Sequence, residues 1–380
     1  MDKIYMDYSA TTYVKPEVVE AMEPYIKEYF ANPSSAYSLS NRAKMIIDES
    51  REALANLINA KSSEIYFTSG GTESDNWAIK GVAFANMNKG RHIITSSIEH
   101  HAVLNACEYL KKFDFEITYL PVDEYGLIHL QELKNSIRKD TILVSIMIAN
   151  NEIGTIEPIS EIGKVCKERN IVFHTDAVQA VGNIHLDVEN MNIDLLSFAS
   201  HKIYGPKGIG ALYIRKGTKI DNLIHGGEQE KGKRGGTENL ASIVGFGKAS
   251  EIALNNLNEH RERLIYLRDI LINELLQIPG TKLNGAKGEK RLPGSVNITF
   301  NDAQAELMLM MMDREGIFVS SGSACQAGAV EPSHVLKAIG LSNKEAKEAI
   351  RFSLGDKTTK EHVDKVINVV RDCVQKLRGY

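Results

Sequence analysis

Short apolar runs alternate with longer segments of helical spacing from about residue 45 to residue 255. The helical spacing predicts helices over residues 42–58, 72–86 and 159–169. The short runs predict strands over residues 64–68, 92–95, 116–120, 142–148, 171–174, 195–198 and 210–214. This alternation indicates an α/β fold in which helices cover a mostly parallel sheet.

The pattern changes near residue 240. Residues 241–277 have the spacing of one long helix or of two abutting helices. After them, strands are predicted over residues 295–300 and 317–320, and helices over residues 305–315 and 360–377. We interpret this part of the chain as a second, smaller α+β domain.

Charge and cysteine content argue against several classes of protein. The formal net charge is −4, and no run of lysine and arginine supports binding to nucleic acid or to a membrane surface. No apolar stretch is long enough for a spanning helix, and the first residues lack the apolar segment of a signal peptide. The four cysteines are too widely spaced for a Cys-x-x-Cys pair. We therefore expect reduced thiols in the cytoplasm, without a disulfide framework or a structural zinc site.

Lys202 comes shortly after the end of a predicted apolar strand. Small and polar residues follow residues 194–198, and a Gly-Pro turn comes directly after the lysine region. A lysine held at the end of a strand can reach into a cleft, which suits an amine that forms a Schiff base with an aldehyde cofactor. A solvated surface charge is the alternative interpretation.

A Gly70-Gly71 turn joins a predicted strand to the start of a helix. Glycines let backbone N–H groups approach an anion, the helix N-terminus favours negative charge, and Thr72 adds a hydroxyl donor. Because no Gly-Lys-Ser/Thr ending follows, a phosphate monoester is a better candidate than a nucleotide. The alternative is an ordinary helix capped by Ser69 or Thr72.

Asp176 falls at the end of a buried strand, at the sheet edge where α/β proteins place ligands. A carboxylate there could hold a protonated pyridine nitrogen, or it could cap a helix. Asp176 lies 26 residues before Lys202, so the two could share one site. Upstream, one of the adjacent histidines His100 and His101 could lie on an aromatic cofactor ring or shuttle a proton.

Cys325 follows a strand end and a run of serine and glycine residues. An exposed thiol in such a loop suits a nucleophile, and a buried structural cysteine is the alternative. Arg351 alternates with apolar residues on a predicted strand, where it would meet a carboxylate of the protein or of a substrate in a two-point contact. Cys107 and Cys166 lie on amphipathic helices and are interpreted as structural.

Seven motifs follow one another in order, over residues 68–74, 99–103, 150–154, 176–179, 201–202, 234–239 and 320–325. Together they resemble the cysteine desulfurases of the NifS/IscS group, which are pyridoxal-phosphate enzymes of the class V aminotransferase family. The resemblance runs from residues 5–12 to residues 350–355. It implies fold type I, with a mostly parallel seven-stranded sheet in a large domain of residues 15–255. Residues 1–14 and 256–380 would form the smaller α+β domain.

Carried over by position, the resemblance implies a role for each site residue. Lys202 would bind the aldehyde of pyridoxal 5′-phosphate, Asp176 would pair with its ring nitrogen, and Gln179 would bond its ring hydroxyl. His100 would stack on the ring and move protons. The phosphate would be held by Gly71, Thr72, Ser200, His201 and Thr237 of the other subunit. The family often has serine where this chain has Ala199, so Ser200 is expected to take over that contact. Asn151 would contact the cofactor and, with Arg351, would also bind the substrate carboxylate.

The resemblance implies a cytoplasmic, homodimeric cysteine desulfurase that converts L-cysteine to L-alanine and leaves a persulfide on Cys325. The sulfur would pass to an acceptor such as a NifU/IscU-type scaffold or a tRNA-thiolation enzyme, for iron–sulfur clusters or other thio-cofactors. No metal, nucleic acid or membrane partner is expected. The alternatives are a selenocysteine lyase, a small-amino-acid aminotransferase, and a non-catalytic scaffold. Cys325 argues against the aminotransferase, and the intact set of site residues argues against the scaffold.

Overall fold

A computed structural model describes residues 3–321 and 332–379 of the chain. Its strands are β1 (Ile4–Tyr5), β2 (Ile65–Thr68), β3 (His92–Ser96), β4 (Glu116–Leu120), β5 (Thr141–Ser145), β6 (Val172–Asp176), β7 (Leu195–Ala199), β8 (Gly210–Ile214), β9 (Thr281–Leu283), β10 (Ser295–Phe300), β11 (Ile317–Phe318), β12 (Ser320–Ser321) and β13 (Ala349–Ser353). Its helices are α1 (Pro16–Lys27), α2 (Ser38–Leu57), α3 (Gly71–Asn86), α4 (His101–Leu110), α5 (Leu130–Ser136), α6 (Ile159–Glu168), α7 (Gln229–Gly232), α8 (Leu240–Leu275), α9 (Ala305–Arg314), α10 (His334–Ala338), α11 (Asn343–Lys347) and α12 (Lys360–Arg378).

The predicted mostly parallel sheet is confirmed. Seven strands pair in the order β2-β8-β7-β6-β5-β3-β4. The pairs from β4 through β3, β5 and β6 to β7 are parallel, whereas β8 runs antiparallel to both of its neighbours. Because the parallel strands point the same way, their carboxyl ends share one edge of the sheet, which is where such folds bind ligands.

Helices cover both faces of this sheet, which explains the continuous apolar runs in the sequence. Every residue of β3, β5, β7 and β8 is buried. Trp77 of α3 and Val103 of α4 belong to one core cluster, and Leu54 of α2 and Phe246 of α8 belong to another. Strands buried on both faces lose the alternation of apolar and polar residues that a half-exposed strand shows.

The last third of the chain builds a second sheet with its own core. Four strands pair in the order β12-β13-β10-β9, all antiparallel, and β1 pairs with β11 beside them. Of the two predictions for residues 241–277, the single helix is right, since α8 runs unbroken for 36 residues. The predicted domain boundary at residue 255 falls inside α8, and the division into two domains stays a prediction.

Between residues 3 and 321 and between 332 and 379, no helix combines the length and the apolar character that crossing a bilayer requires.

Candidate active site

The carboxyl edge of the large sheet brings together the residues singled out from the sequence. Asp176 is the last residue of β6, and Lys202 lies three residues after the end of β7. In the β6–β7 register Asp176 is opposite Ser197. His100 precedes α4, which follows β3, and Gly71 opens α3, which follows β2. Four different strand ends therefore converge on one site.

The Lys202 ammonium contacts the N-terminal segment of the chain. Its Nζ donates to the carbonyl oxygens of Ser9 and, at 2.9 Å, of Ala10. The Ser9 carbonyl also accepts from Nε2 of Gln179 at 2.9 Å. Residues 9–12 thus form one wall of the site. Their contribution is through backbone carbonyls, so no side-chain pattern in the sequence could have pointed to Ser9 or Ala10.

Asp176 is a buried carboxylate held by its own turn. Its Oδ1 accepts from the N–H of Val178 at 2.9 Å. Residues after it form turns rather than a helix, so the helix-cap alternative is wrong. Burial raises the pKa of Asp176, and the charges of His100 and Lys202 partly lower it again. An acid in this setting is stabilised as an anion by a cation placed against it, as a protonated ring nitrogen would be.

His100 is fixed by the helix that follows it. It is the N-cap of α4, and its Nδ1 accepts from the N–H of Ala102 at 3.1 Å. A neutral imidazole that accepts through Nδ1 carries its proton on Nε2. Burial lowers the pKa of His100 below the usual histidine value, so the neutral form is favoured.

The first turn of α3 has the features of an anion site. Gly70 precedes it with φ 155° and without a side-chain cap, so the alternative of a helix capped by Ser69 or Thr72 is wrong. A Cβ at Gly71 would lie 2.7 Å from Cγ2 of Val178, which explains why this helix end can approach the Asp176 turn. The cleft here is lined by Thr11, Ser69, Gly70, Gly71, Thr72, Glu73, His201, Lys207, Gly208 and Ile209.

Two of the predicted phosphate contacts lie elsewhere in this single chain. Ser200 is fully buried with an unpartnered Oγ, and a Cβ at Gly205 would lie 2.0 Å from that oxygen. Thr237 is exposed, in the neighbouring cleft with Arg234 and Gly236. His201 does line the phosphate cleft, where its Nδ1 is 3.1 Å from Oγ1 of Thr11. The roles of all three in phosphate binding stay predictions.

Arg351 lies on β13 at the opposite side of the site and is 2% exposed. One of its terminal nitrogens is 2.7 Å from Oδ1 of Asp7, and the other donates to the backbone carbonyl of Asn151 at 3.2 Å. Its Nε is buried without a partner. Asp7 was not predicted as a site residue, although it lies within the 5–12 motif. Arg351 therefore meets a protein carboxylate through one nitrogen and not in a two-point contact, and its contact with a substrate carboxylate stays a prediction.

Cys325 lies outside the described residues. In the described part of the chain before Cys325, Ser320 of β12 pairs with Arg351 of β13. In the described part after it, Ser333 donates to Oε2 of Glu152 at 2.6 Å. The cysteines Cys107, Cys166 and Cys373 are buried free thiols. Burial raises the pKa of Cys107 to about 12, and it also raises the pKa of Cys166 and Cys373. A raised thiol pKa suppresses nucleophilicity, as expected for structural cysteines.

Glu99, next to His100, is a fully buried acid. Its Oε1 accepts from Oγ of Ser96 at 2.6 Å and from the N–H of Met147 at 2.9 Å, and its Oε2 has no partner. Burial raises the pKa of Glu99 to about 8, in spite of these hydrogen bonds. The unfolded chain releases this proton near pH 4.5, so from there to pH 8 the folded state binds one more proton. Stability from this group is therefore lost as the pH rises.

We expect Glu99→Gln to flatten that loss, because glutamine keeps the accepting oxygen and cannot ionise. The free energy of unfolding should fall by roughly 2–4 kcal/mol less between pH 5 and pH 8 in the variant than in the unchanged chain. Urea unfolding of the apoprotein at several pH values measures this difference. Glu108→Gln, at an exposed position, is the control and should leave the pH dependence unchanged. Parallel curves for Glu99→Gln and the unchanged chain would contradict the assignment.

The residues present fit a flat, phosphate-bearing aldehyde cofactor. The uncapped start of α3 suits the phosphate, the buried Asp176 suits a cationic ring nitrogen, and Lys202 supplies the amine. These three requirements are met on three neighbouring loops of one sheet edge.

Comparison with known proteins gives the same result. The family model described as aminotransferase class-V matches residues 4–366. The cysteine desulfurase IscS of Clostridium botulinum is 55% identical over 378 residues, which cover 99% of this chain and 95% of that protein. The solved structure of a NifS-like protein has a TM-score of 0.93 at 38% identity and covers 99% of this chain and 100% of its own. The structure titled SspA in complex with cysteine has a TM-score of 0.83 at 41% identity, with 94% and 100% covered.

The family match and the full-length relative agree with the motifs and with the site. The chain therefore belongs to the class V aminotransferase family and, within it, to the pyridoxal-phosphate-dependent cysteine desulfurases.

Proposed function

We propose that this enzyme converts L-cysteine to L-alanine and transfers the sulfur to Cys325 as a persulfide. The observation that carries the proposal is the convergence of Lys202, Asp176, His100 and the start of α3 on one sheet edge. The relative from Clostridium botulinum is named a cysteine desulfurase, and the SspA structure was solved with cysteine, which supports this substrate.

Pyridoxal 5′-phosphate, on which the family depends, withdraws electrons from a bound amino acid and so makes its sulfur open to attack. Lys202 would attach it covalently, Asp176 would hold its ring nitrogen, and Gln179 would contact its ring hydroxyl. The phosphate would lie at Gly71, Thr72 and His201, with Ser200 behind them. His100 would lie against the ring.

The chain's own groups would divide the remaining work. Arg351 and Asn151 would bind the carboxylate of cysteine, with the Arg351 guanidinium oriented by Asp7. The Lys202 amine, once released, would move the proton at the α-carbon. His100 would deliver or receive a proton at Nε2, since Nδ1 is engaged in the cap of α4. The Cys325 thiolate would then bond to the substrate sulfur, whose bond to the β-carbon breaks with the electron pair left on carbon.

We also propose a homodimer in which Thr237 reaches the phosphate site of the partner. Large apolar side chains are exposed on and between α1 and α2: Val19, Ile26, Phe30, Tyr37, Leu39 and Met45. Of these Phe30 is 72% exposed. Exposed apolar surface of this kind is typical of an interface, and a second copy of the chain would cover it. Thr237 is itself exposed, as a residue that reaches another subunit must be.

The persulfide would be passed to an acceptor protein, such as a NifU/IscU-type scaffold or a tRNA-thiolation enzyme. The name of the Clostridium relative supports iron–sulfur cluster assembly as the destination. We place the activity in the cytoplasm, because Cys107, Cys166 and Cys373 are free thiols, which is the state that reducing compartments maintain.

The test is the production of alanine and sulfide from L-cysteine by the cofactor-loaded enzyme in the presence of a thiol reductant. Equal amounts of the two products are expected. Selenide from L-selenocysteine without sulfide from L-cysteine would favour the selenocysteine lyase instead. Transfer of the amino group to a keto acid without release of sulfide would favour the aminotransferase. An apoprotein that fails to take up the cofactor would favour the scaffold.

A further inference from the structure

One edge of the large sheet is covered by an ion pair rather than by a strand. β2 is the first strand in the sheet order and pairs with β8 alone. On its open side, NH1 of Arg51 donates to the carbonyl of Ile65 at 2.7 Å, and Oε2 of Glu230 accepts from the N–H of Phe67 at 2.9 Å. Arg51 and Glu230, which we call the edge clamp, also pair with each other at 2.6 and 2.9 Å. Open strand edges are usually blocked by simpler means, such as an exposed lysine or a proline.

The edge clamp holds a backbone that would not adopt its conformation unaided. Glu230 has φ 48° and ψ 44°, and Lys231 has φ 59° and ψ 34°. Two consecutive residues other than glycine in the left-handed region persist only where the surroundings hold them, and such strain collects at functional sites. Arg51 and Glu230 are 5% and 7% exposed. Since buried ion pairs contribute little to stability on their own, the edge clamp is better explained by what it positions.

A second ion pair ties the next part of the segment to the start of α3. Nε and NH2 of Arg234 donate to the two carboxylate oxygens of Glu73 at 2.9 and 3.1 Å. Oε2 of Glu73 also accepts from the N–H of Ser69 at 2.8 Å. Burial raises the pKa of Glu73, but the hydrogen bonds from Arg234 and Ser69 outweigh it and leave the pKa below the usual value. We call Arg234 and Glu73 the turn clamp.

Both clamps join residues 230–234 to residues 65–73, which run from β2 into the first turn of α3, where the phosphate site of the same chain is proposed. Thr237 lies only three residues beyond Arg234 and three before the start of α8. Gly235 packs so closely on Gly226 that a Cβ would lie 2.6 Å from the Cα of Gly226. The exposed Thr237 therefore lies between the clamped residues 230–235 and the start of α8, in a cleft that Glu230 and Arg234 also line.

We propose that the edge clamp and the turn clamp are positioning devices that fix Thr237 for the phosphate of the cofactor in the partner subunit. This inference rests on the proposed homodimer with shared sites. By these contacts the segment is anchored to β2 and to the first turn of α3 in its own subunit, which serve as the support from which Thr237 is held. Glu230 and Arg234 act through Thr237 and touch no substrate.

Mixed dimers test the proposal, with one subunit carrying Lys202→Ala and the other Thr237→Ala. One site then combines Lys202 with an intact Thr237 from across the interface. The readout is borohydride capture of pyridoxal phosphate on Lys202, followed by mass spectrometry over a range of cofactor concentrations. The mixed dimer should have the dissociation constant of the unchanged enzyme, and the Thr237→Ala homodimer should bind about tenfold more weakly, as for the loss of one bond to a charged group. Equal dissociation constants in these two dimers would contradict the shared site. This outcome is independent of any role of Glu230.

Glu230→Gln is then added to either subunit. In the Lys202→Ala subunit, which supplies Thr237, it should weaken capture by about tenfold. In the Thr237→Ala subunit, which supplies Lys202, Glu230→Gln should change the dissociation constant by less than about twofold. A change of that size is what independent, distant substitutions show. An effect that is equal in the two placements, or larger with Lys202, would overturn the proposal.

A second variant tests the proposal if Glu230→Gln subunits do not fold. Arg234→Gln removes the turn clamp at a partly exposed position and should weaken capture more when it is in the subunit that supplies Thr237 than when it is in the subunit that supplies Lys202. Lys231→Gly is the control, since it relieves the neighbouring backbone strain and removes the bond from Nζ of Lys231 to the Ser63 carbonyl, while both clamps stay intact. It should leave cofactor capture unchanged in either subunit, and a loss of capture from it would assign the effect to the backbone instead of the clamps.

Discussion

Replacement of Cys325 by serine is expected to abolish production of sulfide and alanine from L-cysteine while leaving cofactor binding intact. A serine hydroxyl is scarcely ionised near neutral pH and cannot form a persulfide, so the rate should fall by at least about 100-fold. Alanine and sulfide are measured in one assay, and persulfide is measured by mass spectrometry after alkylation. The cofactor content is read from the visible absorbance and should be unchanged, because Lys202 and Asp176, the residues proposed to bind the cofactor, are retained.

Cys373→Ala is the matched control for Cys325→Ser. Cys373 is a buried thiol on α12, and burial raises its pKa, so it should contribute nothing to sulfur transfer. This variant should form the persulfide at the rate of the unchanged enzyme. Release of sulfide by Cys325→Ser at that same rate would remove Cys325 from the reaction.

Replacement of Lys202 by alanine is expected to eliminate covalent attachment of the cofactor. The other binding groups remain, so pyridoxal phosphate should still bind, but borohydride should add no mass to the protein. Lys207→Ala is the control, because Lys207 lines the phosphate cleft and is exposed. That variant should keep covalent attachment at Lys202, even if it binds the cofactor more weakly.

Covalent attachment of the cofactor in Lys202→Ala would contradict this prediction. Attachment of one cofactor per chain in this variant, located by peptide mapping on another lysine, would refute the assignment. The desulfurase rate should fall together with the attachment, since the released amine of Lys202 is also the group proposed to move the α-proton.

Much of the fold could be predicted because its signals are local. Strands read as short runs rich in apolar residues, and the predicted strands over residues 116–120, 210–214 and 295–300 have the observed bounds. Asp176 and Lys202 were accessible to prediction for the same reason, since each lies at or just beyond the end of such a run. A strand end in a parallel sheet is a known place for a ligand.

The rest of the site depends on contacts that leave no local trace. The bond from Gln179 to the Ser9 carbonyl joins residues 170 positions apart, and the Arg51–Glu230 pair joins residues 179 positions apart. Ser9 and Ala10 act through backbone oxygens, which every residue has. Asp7 and Glu230 are ordinary acids in the sequence, and only the folded chain shows which arginine each one meets. The cap formed by His100 was missed because histidine is not among the usual capping residues.

The contact between Asp7 and Arg351 sets an order of events for a chain that is still being made. The two residues are 344 positions apart. At about 5–20 residues per second, a ribosome needs roughly 20–70 s between them. During that time Asp7, Ser9 and Ala10 have been synthesised but part of their final surroundings has not. The contact between Asp7 and Arg351 can therefore form only after residue 351 has been synthesised, so a shorter nascent chain lacks the arginine proposed to bind the substrate.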